Sequence, residues 1–110
     1  MTKGEAIAAI TQRLVEYYHP ERIYLFGSEA RGTAGPDSDT DFLVVMPDDT
    51  PREIFRDFSR PLFDVRIGAD VIPWYKSDFD GRAAYVKASL PATVVREGRM
   101  LYDARSVAVG

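Results

Sequence analysis

Arg22-Ile23-Tyr24-Leu25-Phe26-Gly27-Ser28 and, after ten intervening residues, Asp39-Thr40-Asp41-Phe42-Leu43-Val44-Val45 are the stretch around which this chain is organised. The first segment is a run of branched and aromatic side chains, which predicts a buried strand over 22–26 that stops at a Gly-Ser turn. The second starts polar and turns wholly apolar, which predicts a strand over 39–45 inside a sheet covered by helices. A short helical turn is predicted to begin at Ser28, and Thr33–Ser38, with Gly35-Pro36-Asp37, reads as a loop. The polar residues therefore sit where one strand ends and the next begins.

Upstream, Thr2 and Glu5 have capping-box spacing, and Ile7, Ile10, Leu14 and Tyr17 or Tyr18 recur at helical intervals, predicting a helix over 3–18. His19-Pro20 ends it, because proline disfavours helical geometry in the residue before it. Downstream, Thr50-Pro51-Arg52-Glu53 combines a capping box with proline at the first helical position, and Pro61 should stop or kink that helix. A third strand is expected within 63–73, best placed at Ala69–Ile72. Ser77 and Asp80 again have capping spacing, while Phe79, Ala83, Val86 and Leu90 trace a helical face that Pro91 breaks or restarts. Met100-Leu101-Tyr102 reads as a last edge strand. The order predicts an α/β (α+β) fold, a small mixed β-sheet flanked by helices. One domain over 1–110 is expected, with 103–110 a frayed tail.

Composition narrows the function classes. With 45% hydrophobic and 28% charged residues, the chain has an ordinary globular balance. A net charge of −3, with Lys and Arg scattered, argues against direct nucleic-acid binding by phosphate neutralisation. The sequence has no cysteine and one histidine, which removes thiolate and multi-histidine metal sites. No apolar run reaches membrane-spanning length and no signal-peptide core begins the chain, so a cytoplasmic protein without membrane contact is expected.

Asp39 and Asp41 lie two apart on a strand and so point to one face, able to lean toward one divalent cation or a close pair. Magnesium takes oxygen ligands and is usually held by one or two carboxylates plus substrate phosphates. Alone, such a pair is as readily a solvated strand end. Four fixed residues with this spacing arise by chance in about one window per 10⁵, which tips the balance. Gly27 lets the backbone approach a ligand, and Ser28 offers a hydroxyl and helix-start N–H groups to an anion. The spacing Gly27-x4-Gly32 resembles the start of a Walker A loop, but Thr33 and Ala34 replace its Lys and Ser/Thr, so that motif fails.

The string Gly-Ser-Glu-Ala-Arg-Gly followed by Pro-Asp-Ser-Asp-Thr-Asp-Phe-Leu-Val-Val resembles the minimal nucleotidyltransferase (MNT) group of the DNA polymerase β superfamily, whose G-S-x10-D-x-D signature is filled at every fixed position. Asp70-Val-Ile and Glu-Gly-Arg-Met-Leu-Tyr also look like the family. The resemblance implies a polymerase β-like fold, with Asp39 and Asp41 binding magnesium and the triphosphate. It implies that Asp70 completes the metal site and helps activate the acceptor hydroxyl, with Asp64 the alternative should the strand be framed differently. Gly27 and Ser28 would hold the β and γ phosphates. Arg31 either touches phosphate or pairs with a surface acid. Two magnesium ions and ATP as substrate follow.

The activity implied is transfer of AMP, or another nucleoside monophosphate, to a hydroxyl acceptor. With 110 residues and no separate acceptor domain expected, a partner or second copy would supply the acceptor site. Short proteins of this group resemble the antitoxins of HEPN–MNT toxin–antitoxin pairs, which makes a tyrosine of a HEPN toxin the expected acceptor, within a homo- or hetero-oligomer. Two alternatives stand beside this: a nucleotide-binding antitoxin or regulatory subunit that acts by complex formation, and a homodimeric enzyme acting on a small molecule. Trp74 and Tyr75, placed after the third strand, read as packing or interface residues more readily than as a base-stacking pair. His19 reads as a helix-end residue, and Lys76, Arg82 and Lys87 as solvated charges.

Overall fold

The computed structural model describes residues 3–27, 40–56, 58 and 69–107. Helix α1 (Lys3–Tyr18) leads into β1 (Arg22–Phe26); then come β2 (Thr40–Met46), a short helix α2 (Arg52–Arg56) and β3 (Ala69–Tyr75). Helices α3 (Lys76–Tyr85) and α4 (Leu90–Glu97) precede β4 (Arg99–Asp103) and a final turn of helix, α5 (Ala104–Val107). The four strands form one sheet in the order β3-β2-β1-β4. β1 runs antiparallel to β2 and β4, while β2 and β3 are parallel, so the sheet is mixed.

The apolar run of β2 is explained by its two covered faces. Phe42, Val44 and Met46 join Ile7, Ile10 and Leu14 of α1 with Ile23 and Leu25 of β1 in one core. Leu43 and Val45 point the other way, into a second core with Tyr24, Phe79 of α3 and Val94 of α4. Alternation along a strand sends neighbours to opposite faces, and here both faces bury them. Tyr18 ties α1 to Phe58, stacking on its ring at 4.0 Å and donating its hydroxyl to the Phe58 carbonyl at 2.9 Å.

Elements differ from the sequence expectation where a distant partner intervenes. α1 ends as expected, and His19 takes a left-handed φ of 52° while its N–H caps the Val15 carbonyl at 2.9 Å. β3 continues through Pro73 to Tyr75, so Trp74 and Tyr75 lie in the strand rather than after it. It is an edge strand, where proline is tolerated if its missing N–H faces away from the neighbour. The single helical face expected from Phe79 to Leu90 is two helices: Val86 is extended, and the Ser89 hydroxyl accepts from the Ala92 N–H at 3.3 Å to start α4. Pro91 fits the first turn of a new helix but not the interior of an old one.

Nor does Ser77 cap α3 with Asp80. The α3 cap position is Tyr75, without a side-chain bond, and the Ser77 N–H donates to Asp48 from the loop after β2 at 2.9 Å. Thr50 likewise donates its hydroxyl to the Pro47 carbonyl at 2.7 Å. Where a frayed tail is expected, Asp103 closes β4 and Ala104–Val107 are helical. Among the described residues no helix is long and apolar enough to cross a membrane.

Candidate active site at the start of the parallel strands

The parallel register of β2 and β3 sets Asp41 directly beside Asp70. Both belong to the face that carries Leu43, Val45 and Trp74, because alternate residues share a face and register partners point the same way. Adjacent strands lie about 4.8 Å apart, so two carboxylates start from neighbouring backbone positions. Like charges directly opposite one another on a sheet are destabilising. A cation between them removes that cost, and oxygen ligands on adjacent strands suit a hard divalent ion. Asp41 is half-buried and Asp70 is exposed, so the pair presents one inner and one outer carboxylate.

Gly27 closes the site from β1. Phe26 is in register with Asp41, which brings the following residue to the carboxylate. Gly27 has a φ of +79°, and a Cβ built on it would lie 2.6 Å from Asp41 Oδ2. Two independent constraints thus demand glycine: left-handed backbone and the space the Asp41 oxygen already fills. The cradle that a side chain would occupy is what leaves the carboxylate room at the end of β1.

Of the candidate residues named from sequence, Gly27, Asp41 and Asp70 are brought together here. Asp39, Ser28, Arg31 and the alternative Asp64 lie outside the described residues, as does the helical turn expected at Ser28. Among the described residues no group of three or more potential metal ligands occurs. The two carboxylates that are described fit a divalent ion as a partial set of oxygen ligands, the rest of which substrate phosphates commonly supply.

Trp74 and Tyr75 are engaged in packing. Tyr75 stacks on Phe55 at 4.6 Å and donates its hydroxyl to the Thr50 carbonyl at 2.7 Å. Trp74 packs against the second core, with Arg82 5.9 Å from its ring centroid. Thr40, between the two aspartates of the motif, is fully buried, and its hydroxyl has no hydrogen-bond partner among the described residues. No pattern in the sequence singles it out, since threonine in a strand is ordinary.

The far end of the sheet is built from paired charges. Arg22 donates to both oxygens of Asp80, at 2.8 and 3.0 Å, and to the Tyr24 hydroxyl at 3.2 Å. Burial opposes the charge on Arg22, yet its bonds to Asp80 and Tyr24 hold the guanidinium above its ordinary pKa. Asp103, in register with Arg22, accepts the Arg105 backbone N–H at 3.0 Å, which holds its carboxyl below the usual range.

The sequence profile of the nucleotidyltransferase domain family matches residues 7–93, a span that includes Gly27, Asp41 and Asp70. The fold is similar to that of a candidate nucleotidyltransferase from Sulfolobus solfataricus, with a TM-score of 0.62 and 20% identity over 92% of this chain and 80% of that one. It is also similar to a toxin–antitoxin protein crystallised with AMP-PNP, with a TM-score of 0.54 and 22% identity over 96% of this chain and 77% of that one. No curated protein sequence matches the chain.

Proposed function

Because the chain belongs to the nucleotidyltransferase domain family, whose general chemistry is transfer of a nucleoside monophosphate, we propose that it moves AMP from ATP, with magnesium, onto a tyrosine hydroxyl of a HEPN-type partner protein. The observation that carries the site assignment is the register of Asp41 with Asp70, with Gly27 packed against the Asp41 carboxylate. Divalent ions, when bound, would supply charge neutralisation of the triphosphate and of the entering and leaving oxygens.

The chain's own residues divide the remaining work. Asp41, with Asp39, would hold the divalent metal at the triphosphate end of the site. Gly27 and Ser28 receive the β and γ phosphates at the turn. Asp70, the more exposed carboxylate, faces the incoming acceptor and takes its proton as the oxygen attacks the α-phosphorus. One P–O bond forms to the acceptor, the bond to the β-phosphate bridging oxygen breaks, and pyrophosphate leaves. Positioning and electrostatics carry most of the rate.

A protein acceptor draws support from the signature shared with stand-alone MNT antitoxins and from the fold likeness to a toxin–antitoxin protein. The test is incubation of the chain with α-labelled ATP, magnesium and the product of the neighbouring gene as candidate partner. Label on a tyrosine of that partner, lost with Asp41→Asn, is the expected result. Label released only as free AMP, or none transferred at all, would refute the acceptor.

A further inference from the structure

Thr40 stands apart from every other residue in its strand. It is 0% exposed, and its Oγ1 is the buried side-chain polar atom without a partner among the described residues. A buried hydroxyl left unpaired costs free energy, whereas valine has the same shape and no such cost. Its location gives the hydroxyl a use. Thr40 precedes Asp41 by one peptide bond and is in register with Ala69, which precedes Asp70. The Thr40–Ala69 pair is therefore the layer immediately next to the two carboxylates, on the opposite face of the sheet, toward α1.

Resting on the nucleotidyl-transfer reading above, we propose that Thr40 is a positioning residue whose hydroxyl gains its hydrogen-bond acceptor when the site is loaded. Asp41 and Asp70 lie in register at the ends of β2 and β3, and loading with a divalent cation and nucleotide shifts the strand end that carries Asp41. Thr40 moves with Asp41. Its hydroxyl then pairs with a main-chain carbonyl or an enclosed water, and the cost carried by the free state is recovered on binding. The hydroxyl thereby favours the loaded arrangement over the free one without touching the ligand.

Thr40→Val and Thr40→Ser in the full chain separate this from simple burial. Two quantities are measured: the melting temperature of the free protein, and the affinity for a non-hydrolysable ATP analogue with magnesium by calorimetry. Thr40→Val should melt at or above the wild type yet bind about tenfold more weakly, equivalent to about 1.4 kcal/mol. Thr40→Ser, which keeps the hydroxyl, should bind within about twofold of the wild type while losing some stability with its methyl group. Equal affinity of wild type and Thr40→Val would overturn the proposal. So would a lower melting temperature for Thr40→Val, which would mean the hydroxyl is already bonded in the free protein, or binding by Thr40→Ser as weak as by Thr40→Val. Failure of the wild type itself to bind would remove the nucleotidyl-transfer reading together with this one; binding that Thr40→Val leaves unchanged removes only the role of Thr40.

Discussion

Two cross-strand pairs at opposite ends of the sheet obey opposite rules. At one end Arg22 is in register with Asp103, and Arg22 is further held by Asp80 on α3. At the other, Asp41 is in register with Asp70. The first arrangement places opposite charges in register, and the Arg22–Asp80 ion pair fastens α3 to β1. The second places like charges together, which no stability argument favours. That contrast is what supports placing the proposed chemistry at the acid end of the sheet. The cost at the acid end is one that a divalent cation offsets.

The sharpest way to break the comparison is to remove one acid. Asp70→Asn should lower transfer by about 10²–10³-fold, the range for losing one electrostatic contact to a reacting centre. The metal-free protein should be as stable as the wild type or more so, because a like-charge pair is gone. Quantitative label-transfer rates and chemical denaturation check both halves, and a loss of stability equal to the loss of activity would make Asp70 structural.

Gly27→Ala tests the packing of the acid end. A left-handed φ on a residue with a Cβ costs about 1–3 kcal/mol, and that Cβ also collides with Asp41. The midpoint of urea unfolding should fall accordingly, and transfer should fall with it as the carboxylate is displaced. At the paired end, Asp80→Asn should cost about 0.5–1 kcal/mol, since Asp80 is 46% exposed and its ion pair is screened. Transfer should stay near the wild-type rate, so any marked loss of activity would show that the two ends are coupled.

The smallest effect is a pH dependence at Asp103. Its folded pKa is depressed first by the Arg105 backbone N–H, so its contribution is fully present above the unfolded value near 4. That contribution disappears as pH falls through the lower folded value. Wild type should therefore lose stability below about pH 4 slightly more steeply than Asp103→Asn, as unfolding midpoints across that range would reveal. Parallel curves would mean that the Arg105 contact adds nothing.

Much of this contrast was legible in the sequence, and the illegible parts share a cause. α1, β1 and β2 follow from local periodicity and from apolar runs whose interpretation needs no distant partner. The break between α3 and α4 was half visible: Pro91 marked it, but the role of Ser89 as the cap had to compete with an uninterrupted helical face. The Asp48 bond to the Ser77 N–H joins residues far apart in the chain, and no local spacing encodes it. Pro73 inside β3 misplaced Trp74 and Tyr75, because proline reads as a strand end unless the strand is known to lie at an edge. At the acid end, a strand carrying Asp70 was foreseeable; the register that seats it beside Asp41 was not. Nor was the collision that makes Gly27 obligatory, since both depend on strand order. Thr40 was invisible, because an orphaned hydroxyl is a property of its surroundings alone.

The account stands on Asp41 and Asp70 sharing a divalent ion, and the melting temperature with and without magnesium and a non-hydrolysable ATP analogue tests this most directly. Wild type should melt higher when both are added, while Asp41→Asn and Asp70→Asn should each lose most of that increase. An equal rise in all three proteins would contradict the assignment, because the ion would then be held elsewhere.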